Sequence, residues 1–108
     1  MHFVASEERR HIVAEVHRRL RPGAPFVLAH LSVPQEAEAR ERWLSRYAAF
    51  AVASGVAPDK AAAARERIAA QLPILAPEQD EAILRDAGFD PVELFYAGLA
   101  FRGWVAHA

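Results

Sequence analysis

Leu20-Arg21-Pro22-Gly23-Ala24-Pro25-Phe26-Val27-Leu28-Ala29-His30-Leu31 decides how this chain folds. Pro22-Gly23 stops a preceding helix, because proline cannot continue one and glycine accepts the backbone turn that ends it. Pro25 to Leu31 is then a near-continuous apolar run of strand length. Such runs belong to strands covered on both faces, as in a parallel sheet.

Upstream, Ser6-Glu7-Glu8 precedes apolar residues at Ile12, Val13, Val16 and Leu20, the pattern of a capped amphipathic helix. Arg18, Arg19 and Arg21 suit the negative end of its dipole. Met1 to Val4 has the look of a short strand before that helix. Downstream, Pro34 opens a long helix ending near Ser54-Gly55, and Ala57-Pro58-Asp59 starts another that runs to Leu72. A further helix follows Pro77 and stops at Gly88. Val92 to Tyr96 and Leu99 to Val105 are two strands, with Ala97-Gly98 as the tight reversal of a terminal hairpin. The class is α/β, with about four strands, the last antiparallel.

The chain has 108 residues, 53% hydrophobic and 25% charged, with formal net charge -1. It is the length of one domain and the composition of a globular one. This charge leaves no electrostatic footprint for nucleic acid or anionic lipid. With no cysteine, disulfides and zinc–thiolate sites are excluded. No apolar run approaches a bilayer span and none looks like a signal peptide, so a cytoplasmic location is expected.

Three segments carry a family resemblance: His2-Phe3-Val4 before Ser6-Glu7-Glu8-Arg9, Leu20-Arg21-Pro22-Gly23-Ala24 before the strand at Pro25, and Leu84-Arg85-Asp86-Ala87-Gly88-Phe89 before Val92-Glu93-Leu94-Phe95. In this order and spacing the chain resembles the C-terminal half of a class I S-adenosylmethionine-dependent methyltransferase, a Rossmann-like fold. Within that superfamily it is similar to the subgroup containing carboxy-S-adenosylmethionine synthase, a tRNA-modification enzyme, which has a long helical excursion and an aromatic-rich terminal strand pair. The resemblance implies one partial domain over 1–108: strand-helix-strand over 1–33, a helical insertion over 34–73, and a helix with the terminal strand pair over 77–108.

The resemblance also implies S-adenosylmethionine as the cofactor of the parent family. The family's glycine-rich loop, which lets backbone approach the cofactor, is missing here. The five glycines stand at 23, 55, 88, 98 and 103, with no two in a GxG spacing. This chain alone is therefore expected to bind no cofactor.

Arg65 is the first candidate for binding substrate. Ala61, Arg65, Ile68 and Leu72 form one helical stripe, and an arginine on an apolar face needs a partner. The resemblance matches it to an arginine that grips the extra carboxylate of the ligand across a dimer; an internal salt bridge is the alternative. Trp43, Tyr47 and Phe50 form an aromatic stripe with Arg46 beside it, either a substrate wall, a subunit interface or a core-facing stripe. His30 and His2 are expected near the carboxyl ends of strands, where α/β folds bind ligands. His30 is a candidate for substrate and His2 for cofactor, against a structural role for each. Tyr96 either lines the substrate side of the sheet or belongs to the core or an interface. No histidine has metal-ligand spacing, so no metal is expected, and Ser6, Ser32, Ser45 and Ser54 lack a nucleophile-elbow context. The Arg9-Arg10 and Arg18-Arg19 pairs are taken as solvated helix charges.

Two functions follow. The first is the substrate-recognition and dimerisation portion of a truncated or split methyltransferase-like transferase, acting on a small-molecule or RNA-modification substrate. It would not be catalytic alone, and its partner would be a homodimer mate or a complementary N-terminal half. The second is a non-catalytic dimeric binding module on the same fold. In both, Met1 to Val4, as an exposed strand edge, is expected to be disordered, swapped or paired with another chain.

Overall fold

Helix α1 spans Ser6–Arg19, with Glu7 and Glu8 in its first turn and His17, Arg18 and Arg19 in its last, as the helix dipole favours. The computed structural model describes residues 1–108, and continues with β1 at Pro25–Leu31, α2 at Ala37–Ala53 and α3 at Pro58–Gln71. It ends with α4 at Pro77–Asp86, β2 at Val92–Gly98 and β3 at Phe101–His107. Prolines open α3 and α4, where a missing N–H costs nothing. Helix α2 begins three residues later than Pro34, with the Glu36 side chain accepting from the Glu38 N–H. The reversal between β2 and β3 also falls later than expected, at Leu99-Ala100, with Leu99 at φ 54°. Gly98 lies inside β2, where the Tyr96 hydroxyl occupies the space a side chain would need.

The strand order is β1-β3-β2, and both outer strands run antiparallel to β3. The α/β class and the antiparallel last strand hold. The doubly covered parallel strand does not: the one ladder partner of β1 is antiparallel, and only one sheet face carries helices. Phe26, Leu28 and His30 face inward opposite Ala106, Trp104 and Arg102. Val27, 60% exposed, and Ala29 face outward opposite Val105 and Gly103.

Against the inner face α1 and α4 supply Val13, Ile83 and Leu84, which close on Leu28, Phe89, Trp104 and Ala106 as the main core. The Trp104 indole N–H, fully buried, donates to Glu81 Oε1 at 3.0 Å. A smaller cluster of Leu31, Val33, Ile74 and Ala100 caps the sheet end. Helices α2 and α3 pack chiefly on each other and rest on that cluster through Trp43, Tyr47, Ile68 and Leu72. The molecule is accordingly elongated, 47 × 24 × 21 Å. None of its helices is long and apolar enough to cross a membrane.

Met1 to Val4 is not a strand. It is a turn closed by Val4 N–H on the Met1 carbonyl, and Arg9 holds the Val4 carbonyl at 3.1 Å. Side chains of the chain itself, Arg9 and His2, hold it against α1 and β1. Its place beside β1 matters because that edge of the sheet is open. Ala24 and Ser32 bond toward the β3 side, so odd-numbered residues of β1 point their backbone groups the other way. Leu31 N–H is taken by His2 Nδ1 at 3.0 Å and Val33 N–H by the Leu75 carbonyl at 3.2 Å. Val27 and Ala29 have no ladder partner on that side.

Candidate functional site

The side chains with chemistry to offer gather where β1 ends and β3 begins. At the centre lies Asp80, carried inward by α4 on the stripe it shares with Ile83 and Leu84. Its Oδ1 takes Arg9 Nη1 at 2.7 Å, and its Oδ2 takes Ser32 Oγ at 2.7 Å. His30 Nε2 stands 3.1 Å from the same Oδ2, off the line of a hydrogen bond, and His30 Nδ1 has no partner. All four residues are buried. Burial works to raise the Asp80 pKa, and His30, Ser32 and Arg9 together outweigh it, holding the carboxyl below its ordinary value.

Arg9 is therefore no solvated helix charge; it is fully buried and also holds the Pro73 carbonyl at 2.8 Å. A signal existed, since Arg9 precedes Val13 by four residues on the face that α1 buries. Asp80, likewise, shares an apolar stripe with Ile83, Leu84 and Ala87 and could have been found by it. Ser32, His30 and Asp80 resemble a nucleophilic triad in composition only. Serine and histidine both address the carboxylate, so the histidine is no base for the hydroxyl.

His2 lies above this group, its ring 6.4 Å from His30 and 6.4 Å from Phe101. Because Nδ1 accepts from Leu31, the neutral ring carries its proton on Nε2 and presents a donor. Its pKa is lowered, first by burial and then by the positive charges and His30 nearby.

The stripe on α2 splits. Trp43 and Tyr47 pack over the sheet end, with Tyr47 6.1 Å from Phe101, while Phe50 is 58% exposed. The Trp43 ring lies 4.7 Å from the guanidinium carbon of Arg46 and 4.7 Å from that of Arg102. Sequence reasoning missed Arg102, which β3 turns inward opposite His30. Arg65 and Tyr96 lie elsewhere. Arg65 is ion-paired with Glu41 beside a groove of about 230 Å³ between α2 and α3. Tyr96 is half-exposed on the outer sheet face, opposite Gly103. The structure thus brings His2, His30, Trp43, Arg46 and Tyr47 to one end and leaves Arg65 and Tyr96 outside it.

A cradle for S-adenosylmethionine needs glycine where a strand turns into a helix. The glycines with positive φ are Gly23, entering β1, and Gly55 and Gly88, which follow α2 and α4. None leads from a strand into a helix, so these residues do not form that cradle.

No family model and no curated protein sequence matches the chain. Solved structures do. Human N-acetylserotonin methyltransferase in complex with S-adenosylmethionine superposes with TM-score 0.60 at 14% identity, over 98% of this chain and 26% of that one. The S-adenosylmethionine-dependent methyltransferase SibL, in its apo form, gives TM-score 0.63 at 12% identity, over 99% and 28%. The chain therefore has a partial methyltransferase fold, and it spans about a quarter of the length of these two proteins.

Proposed function

We infer that the chain is the substrate-recognition portion of an S-adenosylmethionine-dependent methyltransferase-like protein, with the cofactor-binding portion supplied by other residues. The open edge of β1 carries this reading: Val27 and Ala29 present unpaired backbone groups beside an uncovered sheet face, as a sheet does where further strands and helices belong. Cofactor and acceptor would meet only when both portions are assembled, since methyl transfer depends on their proximity and orientation. Calorimetric titration tests it. The chain alone should not bind S-adenosylmethionine, and adding a complementary N-terminal portion should restore binding; micromolar binding to the chain alone refutes the reading. The carboxy-S-adenosylmethionine synthase-like subgroup remains part of the proposal through Arg65, whose ligand carboxylate would have to displace Glu41.

A second reading is a dimeric module without catalysis. Val27, Phe95 and Tyr96, each at least half exposed on the outer strands, favour it. Sedimentation tests the interface: a second copy on that face gives twice the monomer mass, which Val27→Lys returns to monomer.

A further inference from the structure

We propose that Arg102 and Arg46, set against the Trp43 indole, form a receptor for an oxyanion group, a carboxylate or phosphate, on the substrate. The proposal rests on the reading of this end of the sheet as substrate-facing and adds the charge of the substrate to it.

Arg102 is only 8% exposed, yet it has no carboxylate within 4 Å. Its Nη1 donates to the Leu99 carbonyl at 2.7 Å and the Phe101 carbonyl at 3.0 Å. Those bonds fix the guanidinium and leave its charge unbalanced. A buried cation without a counter-ion is costly, and chains normally supply one. This chain does so elsewhere: the other fully inward arginine, Arg9, has Asp80, and the half-buried Arg65 has Glu41.

Three acids that could have served are engaged with other partners. Asp80 serves Arg9 and Ser32, Glu41 serves Arg65, and Glu81 serves Arg85 and the Trp104 indole. Arg46 adds a second unpaired guanidinium. Both stand 4.7 Å from one ring centroid, so their carbons are separated by at most twice that distance. Two guanidiniums share one aromatic ring, and neither has a carboxylate within 4 Å. The ring eases each by cation–π attraction but cannot neutralise them. An oxyanion can, because guanidinium offers a planar fork of donors matched to carboxylate and phosphate. Tyr47, one turn along α2 from Trp43, carries a hydroxyl that makes no hydrogen bond in the chain and can add a further donor.

The test titrates the intact chain with sodium phosphate in one arm and sodium acetate in another, against sodium chloride at matched ionic strength. Tryptophan fluorescence and the melting temperature are the readouts. At least one oxyanion should give a saturable fluorescence change and a rise in melting temperature that chloride does not, and Trp43→Phe should abolish the fluorescence change. The arm that saturates identifies the group. Arg102→Met should weaken binding by about tenfold or more, a loss of roughly 1.4 kcal/mol. If that variant does not fold, Arg46→Ala, a change at an exposed residue, must still weaken binding several-fold. Responses no larger than with chloride in both arms, or Arg46→Ala binding as tightly as the parent, overturn the proposal. Neither outcome bears on S-adenosylmethionine binding, so the methyltransferase reading fails or stands separately.

Discussion

Arg9 Nη1 and Asp80 Oδ1 meet at 2.7 Å, 71 residues apart in sequence, with each side chain 1% exposed. The pair ties α1 to α4 across the end of β1. Removing one partner leaves a buried charge unmatched, so Asp80→Ala should cost about 3–5 kcal/mol. Replacing both, as in Arg9→Met with Asp80→Leu, should cost far less than Asp80→Ala alone. Urea denaturation of the variants decides it, and a double variant as unstable as the single one refutes the account.

The same carboxylate sets acid stability. Its folded pKa lies below the ordinary value near 3.8, so ionised Asp80 contributes stability in full above that value. The contribution falls away as pH drops through the folded pKa. Acid unfolding followed by circular dichroism should show a loss below pH 3.8 that Asp80→Asn, already weakened at neutral pH, lacks.

His2 makes a local prediction. Its pKa is below 6.5, and protonation of Nδ1 breaks the bond to Leu31 N–H. Stability linked to this histidine is present above pH 6.5 and is lost as pH falls through the lower folded value. The Leu31 amide resonance should titrate with the His2 ring at that same midpoint. An amide shift independent of the ring would disprove the contact.

Glycine substitutions should rank by surroundings as well as by φ. A Cβ on Gly88, at φ +106°, would meet the His17 ring at 2.9 Å, whereas Gly23 and Gly55 face open space. Gly88→Ala, which adds a clash to backbone strain, should cost about 3 kcal/mol, and Gly23→Ala and Gly55→Ala, with strain alone, about 1–2 kcal/mol. Thermal melts of the three variants give the order.

How much of this was legible follows from what each residue type announces. The bounds of the strand at Pro25–Leu31 were legible, because turn residues flank its apolar run, but its antiparallel pairing and one open face were not. The helices after Pro58 and Pro77 were legible by the same punctuation. Met1 to Val4 misled because apolar content does not distinguish a paired strand from a turn pinned by the Arg9 and His2 side chains. Apolar content likewise failed to show that Val27 faces outward. Residue types and spacing singled out His30, Trp43 and Tyr47, which the structure brings to the same end of the sheet. Arg102 escaped because a lone arginine in a terminal strand carries no pattern; only the ladder with His30 turns it inward.

Helices α2 and α3 pack mainly on one another and touch the rest of the molecule through a small apolar cluster. Such an element can detach as a cooperative unit while the sheet stays intact. Trp43 and Arg46 ride on this detachable arm, whereas Arg102 is built into the central strand. The two guanidiniums that share the Trp43 ring thus belong to parts of the molecule of different mechanical stability. An oxyanion bound by both would couple the packing of the arm to the sheet, so its affinity would report how firmly the arm is seated.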